Sequence, residues 1–166
     1  MESQADRFEK ILVAVDYSPA TPKIFTKALE IAKAYNSRLL VFHCLQRQFS
    51  PLPDAIVYAG IGGYSGVYSE ETVELEEQLL EEATEELQAW LASFVRQATG
   101  EGVQAESDYA VGETGRTICE VAEDWSADLI VMGRQGRVGL SELLLGSTSN
   151  YVVHHAKCSV LVIQHS

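Results

Sequence analysis

Gly133 and Gly136 are followed, after nine intervening residues, by the run Gly146-Ser147-Thr148-Ser149. These residue types suit anion binding. Without a Cβ, glycines let successive backbone N–H groups turn toward one point, and hydroxyls add donors without adding charge. Arg134 and Arg137 bring cations into the same loop, so by chemistry the stretch is a candidate phosphate cradle. Turn glycines with no ligand account for the loop almost as well, and the residues alone leave both readings open. The spacing is not that of G-x4-G-K-[ST], whose lysine is missing, and an efficient ATPase is not expected. His43, His154, His155 and His165 are too scattered to build a zinc site with Cys44, Cys119 and Cys158. Neither a G-x-S-x-G elbow nor a Cys–His pair is indicated, so no catalytic and no metal residue is assigned.

The elements that must hold this loop are legible from hydrophobic patterning. Ile11 to Val15 is a short β-branched run stopped by Asp16-Tyr17-Ser18-Pro19, the pattern of a strand buried on both faces. Apolar residues at helical spacing predict a helix over Thr21 to Tyr35, with Pro22 in the first turn. Arg38 to Cys44 reads as a second buried strand. Gln46 to Ser69 is rich in glycine, proline and tyrosine and reads as an irregular excursion. A long helix is expected from Glu70 to about Thr99; nine glutamates and no basic residue lie between Glu70 and Glu86, the mark of a solvated face. A more exposed strand over Val103 to Val111, a helix over Thr114 to Trp125 and a buried strand over Asp128 to Met132 follow. The chain closes with a helix over Ser141 to His154 and a strand over Ser159 to Ile163. Such alternation predicts an α/β fold, a parallel sheet with helices on both faces and right-handed crossovers. In sheets of that kind ligands gather beyond the strand C-termini where strand order reverses, and Asp16, Cys44 and Gly133 all follow strands there.

Composition narrows the function classes. The 166 residues carry 24 Asp plus Glu against 12 Lys plus Arg, a net charge of −12. Nucleic-acid affinity comes from Lys and Arg neutralising phosphates, so neither nucleic acid nor a membrane surface is an expected partner. With 46% hydrophobic residues the chain can bury a core, and its length suits one domain over residues 1–166 with an insertion at about 46–69. Three well-separated cysteines, an N-terminus without the apolar core of a signal peptide and no run long enough to span a bilayer point to a soluble cytoplasmic protein.

The glycine spacing, with ADLIVMG before it and SVLVI after it, resembles the universal stress protein family. ILVAVDYSPAT near the start, LLVFHC, and GETGRTICEVAEDWSADLIVMGRQG extend the resemblance over nearly the whole chain. It implies a three-layer α/β sandwich on a five-stranded, mainly parallel open sheet, Rossmann-like and similar to the adenine nucleotide alpha hydrolase fold. It also implies an adenine-nucleotide-binding stress protein (ATP, ADP or AMP) acting as a sensor or switch, with slow hydrolysis at most. By that resemblance Ala14 and Val15 line the adenine side, Asp16 approaches the ribose or a metal, and Cys44 offers backbone groups to the adenine edge. Met132 sits near the sugar or base. Gly133, Gly136, Gly146, Ser147, Thr148 and Ser149 hold the phosphates, and a Mg or Mn ion is expected only in company with the nucleotide. Arg134-Gln135 stand where members often have a small polar residue and a histidine, and Arg134 is read as neutralising a phosphate. The resemblance further implies a homodimer through Ser159 to Ile163 and an unidentified protein partner. The alternative is a nucleotide-independent dimeric scaffold or protective protein that works through its acidic helix or long loop.

Overall fold

The computed structural model describes residues 7–46, 70–134 and 146–164. The excursion expected at 46–69 lies outside them except for Gln46. Nine elements follow in order: β1 (Lys10–Ala14), α1 (Thr21–Tyr35), β2 (Arg38–Gln46), α2 (Glu70–Gly100), β3 (Ala105–Gly112), α3 (Thr114–Asp124), β4 (Leu129–Gly133), α4 (Ser147–His155) and β5 (Ser159–Ile163). All strand pairs are parallel, in the order β3-β2-β1-β4-β5. The sheet thus grows outward from β1 in both directions.

Period-two alternation sorts the strand residues into two cores. Ile11, Val13, Leu39, Val41, Leu129 and Val131 face one side and pack with Ile24, Phe25, Ala28 and Leu29 of α1 and Leu87 and Leu91 of α2. Leu12, Leu40, Phe42, Ile130 and Met132 face the other, against Ile118 and Ala122 of α3 and Val152 of α4. The result is the expected three-layer sandwich. Each fully buried Leu or Ile contributes about 1.5–3 kcal/mol relative to exposure.

Local chemistry sets the boundaries. α1 carries Pro22 in its first turn and stops at Asn36, which adopts the left-handed conformation (φ 54°) that Asn tolerates. α2 closes through Gly102 at φ +84°, and the Val103 N–H then donates to the Ala98 carbonyl at 3.0 Å. Val103 therefore finishes a helix cap instead of opening a strand, and β3 starts only at Ala105. β3 is the more exposed strand that alternation predicted, with Glu106, Ser107 and Asp108 all exposed, because it lies at a sheet edge. Gly146 has φ −59° and ψ 158° and stands as the N-cap of α4, which runs from Ser147; positions 141–145 of the helix expected over Ser141 to His154 lie outside the described residues.

At the N-terminal end of the sheet, the Asp128 carboxylate accepts the N–H groups of Glu9 and Lys10, both at 2.8 Å. The start of β1 is thereby tied to the start of β4.

Candidate functional site

β1 and β2 end at different heights. Their last register pair is Ala14↔Phe42, whereas β2 continues beside β3 as far as Gln46↔Gly112. A notch opens at the C-terminal edge where β1 stops. The Val15 N–H donates to the Phe42 carbonyl at 2.9 Å, so Phe42 directs its backbone groups toward β1. In a parallel strand the next residue with that direction is two further on. The N–H and C=O of Cys44 accordingly face the space that β1 has vacated.

After β1 the chain turns, and Asp16 organises the turn. Its Oδ1 accepts the Ser18 N–H at 3.0 Å and lies 2.9 Å from the Thr21 hydroxyl. That hydroxyl is also 2.6 Å from the Asp16 carbonyl oxygen and accepts the Asp16 N–H at 3.2 Å. Thr21 is only 3% exposed and is the first residue of α1. One buried hydroxyl therefore joins strand end, carboxylate and helix start.

Across the notch, β4 ends at Gly133, and the Arg134 N–H donates to the Ile163 carbonyl of β5 at 3.1 Å. A Cβ at Gly133 would come within 2.4 Å of Cδ1 of Ile24, so α1 packs closely against this strand end and a larger residue would require the Ile24 side chain to move. α4 then presents its N-terminus, where no side chain among the described residues caps the first turn. Its unpaired N–H groups and the helix dipole make that end attractive to an anion.

These ends enclose a cleft of about 330 Å³, and its wall includes Ala14, Val15, Asp16, Cys44, Met132, Gly133, Arg134 and Thr148. Of the remaining residues expected here from the sequence, Gly146 and Ser147 adjoin Thr148 at the start of α4. Ser149 is fully buried, and its hydroxyl donates to the Gly146 carbonyl at 3.0 Å, holding the helix start rather than facing the cleft. Gly136 lies outside the described residues.

Residues that sequence reasoning missed complete the wall: Tyr17, His43, Gln46 and Thr114 among them. Gln46 donates to the Thr114 hydroxyl at 3.2 Å, joining the end of β2 to the start of α3. His43 is buried, and its Nδ1 donates to the Val15 carbonyl at 2.8 Å. The Tyr17 ring stacks on Trp90 of α2 with centroids 4.4 Å apart and meets His43 edge-on at 5.2 Å. Partial burial pushes the Tyr17 phenol above its ordinary pKa, and the Glu86 carboxylate pushes it further. The available signal was position: Tyr17, Gln46 and Thr114 stand at or shortly after the C-terminal end of a strand, whereas His43 lies within β2.

Val15, Phe42 and Met132 give the wall a buried apolar part, while Asp16, Arg134 and Thr148 of α4 are partly exposed. Such a cleft accommodates a flat heterocycle against the apolar part, hydroxyls at the carboxylate and an anion at the helix end. The Cys44 thiol meets the carbonyls of Leu45 and Gly112 at 3.9 and 3.8 Å. It has no base beside it among the described residues, so nothing in that geometry activates it as a nucleophile.

Comparison with known proteins agrees with this architecture. A universal stress protein of Synechocystis sp. is 40% identical over 161 residues, spanning 95% of this chain and 99% of the relative. A solved structure of a universal stress protein from Methanocaldococcus jannaschii superposes with a TM-score of 0.72 at 22% identity, covering 97% of this chain and 99% of that one. A universal stress protein solved in complex with cAMP gives a TM-score of 0.59 at 23% identity, covering 97% and 100% of the two chains. The universal stress protein family model matches residues 7–164, and with that span added to the close Synechocystis relative, the chain belongs to the universal stress protein family.

Proposed function

We propose that this protein binds an adenine nucleotide in the cleft between the ends of β1, β2 and β4 and acts as a stress-response sensor or switch. The observation that carries the reading is the convergence, at the point where strand order reverses, of a buried apolar wall, a fixed carboxylate, an arginine and a helix N-terminus. That is where open α/β sheets hold ligands. The cAMP complex of a relative with the same fold supports the choice of an adenine nucleotide.

In this arrangement Val15, Ala14 and Met132 flank the base, and the backbone of Cys44 meets its polar edge. Asp16, held by Thr21 and Ser18, receives the ribose hydroxyls. Gly133, Arg134 and the first turn of α4, with Gly146, Ser147 and Thr148, face the phosphates. Gly136 is placed with them by the sequence motif. Ser149 supports them from beneath. No three His, Cys, Asp or Glu side chains gather among the described residues, so a Mg or Mn ion would enter with the phosphates and rely on Asp16 for its protein ligand.

We further propose one cytoplasmic domain that dimerises through the outer edge of β5, which lies at the end of the sheet and is apolar, a composition that favours pairing with a second copy. No helix among the described residues is long and apolar enough to cross a membrane.

Calorimetric titration with AMP, ADP and ATP, preceded by an ultraviolet spectrum of the purified protein for co-purified nucleotide, tests the reading. Saturable binding of at least one of them at micromolar to millimolar concentration is expected. If all three fail to bind at millimolar concentration, the nucleotide-independent scaffold becomes the better account.

A further inference from the structure

The two halves of α2 live in different surroundings. Its 31 residues make a helix about 46 Å long at 1.5 Å per residue. The C-terminal half is anchored: Leu87 is 3%, Leu91 1% and Ala98 0% exposed, with Trp90 and Phe94 packed against the same core. In the other half, the described side chains from Glu74 to Glu86 are exposed apart from half-buried Thr84. That half nevertheless carries an apolar stripe. Leu75 is 53%, Leu79 37% and Leu80 48% exposed. Leu75, Leu79 and Ala83 succeed one another at i, i+4 spacing and Leu80 stands one heptad before Leu87, so the stripe continues the seam that Leu87 carries into the core.

Charge selects what such a stripe accepts. Glu74, Glu77, Glu81, Glu82, Glu85 and Glu86 border it, and no ion pair among the described residues uses any of them. A second copy would set these carboxylates against their own kind, and anionic surfaces would be repelled. A helix with its own leucine-type stripe flanked by Lys and Arg matches both the apolar seam and the sign of the rim.

We propose that the exposed half of α2 is a docking surface for a basic amphipathic helix of a partner protein. The surface lies on a different element from the cleft walls, and its test is independent of nucleotide binding.

The probe is a labelled Leu/Lys peptide of roughly 18 residues, five helical turns, with leucines at i, i+3, i+4 and i+7. A control has the same composition with the leucines dispersed. Binding is read by fluorescence anisotropy on the full chain in physiological salt, where the Debye length is about 8 Å. The patterned peptide is expected to bind, and the dispersed one to bind roughly tenfold more weakly or worse, a loss of about 1.4 kcal/mol. The triple variant Leu75→Ser, Leu79→Ser, Leu80→Ser should show the same loss at unchanged melting temperature, because those side chains are exposed. Glu77→Lys with Glu81→Lys should weaken the patterned peptide while leaving the stripe intact. Equal binding of both peptides, no binding of either, or insensitivity to the triple variant would overturn the proposal. So would sedimentation showing self-association that the triple variant abolishes, since the occupant would then be a second copy.

Discussion

The Thr21 hydroxyl lies 2.6 Å from the Asp16 carbonyl and 2.9 Å from its carboxylate in a nearly closed environment, so Thr21→Val removes the hydroxyl's contacts to Asp16 while the bond from the Thr21 N–H to the Ser18 carbonyl stays. A buried acceptor left unsatisfied costs about 1–3 kcal/mol. Urea denaturation should show a loss of that order, with Thr21→Ser close to native. If Asp16 meets ribose hydroxyls, the same variant should lose roughly tenfold in AMP affinity while binding of a 2′,3′-dideoxy analogue stays nearly constant. Arg134 makes the second residue-scale prediction. Placed on the cleft wall, it should favour phosphate-rich ligands, so that Arg134→Ala weakens ATP by several-fold and adenosine hardly at all in parallel titrations. Tighter ATP binding by the variant would show instead that the arginine crowds the phosphates.

Between elements, the sharpest constraint is where α1 meets the end of β4. Gly133→Ala would bring a Cβ to 2.4 Å from Cδ1 of Ile24, and overpacking of this kind costs about 1–3 kcal/mol. Ile24→Val removes the clashing methyl at a cost of about 0.5–1.5 kcal/mol. The double variant should therefore be more stable than the sum of the single losses, which a denaturation cycle measures. α2 offers a second contrast. Leu91→Ala, at a site 1% exposed, should cost about 2–5 kcal/mol, whereas Leu79→Ala should stay within about 0.5 kcal/mol of native. Equal losses would mean that the exposed half is anchored after all.

At the scale of the whole molecule, pH reports on packing of the α3/α4 layer. Burial pushes the Cys119 and Cys158 thiols up, and each is raised further by a neighbour, Cys119 by Cys158 and Cys158 by Asp128. Their protonated forms are thus favoured by folding. The stabilisation is complete below the unfolded thiol pKa of about 8.5 and is lost as pH rises through the higher folded values. The melting temperature should fall from about pH 8.5 upward, and a Cys119→Ser, Cys158→Ser protein should fall less over the same range. Tyr17 is also raised, but an unfolded tyrosine titrates near pH 10, so the lower part of the window belongs to the thiols. Alkylation of both cysteines by iodoacetamide at pH 7 should be slow for the same reason.

Much of this architecture could be read before any coordinates. Short β-branched runs such as Ile11 to Val13 and Leu129 to Val131 cannot be satisfied on a single apolar face, so they demand a parallel sheet covered on both sides. The glycine-and-serine spacing placed an anion-binding candidate after β4. Local pattern also fixed α1 and β5 to the residue, because Pro22, Asn36 and the β-branched run itself act within a few positions. Other features depend on contacts between distant residues. Periodicity does not mark Gly146 as a boundary, yet it takes an extended ψ and caps α4 at Ser147, which brings a helix end to the cleft. The uneven ends of β1 and β2 turn Cys44 inward, and nothing within LLVFHC specifies where its neighbour stops. Tyr17 reaches Trp90 across more than seventy positions of sequence, a pairing that exists only because α2 packs on β2 and β3 of the same sheet. Composition and periodicity act locally and set which elements form; the cleft belongs to their relative heights, which the packed sheet alone decides.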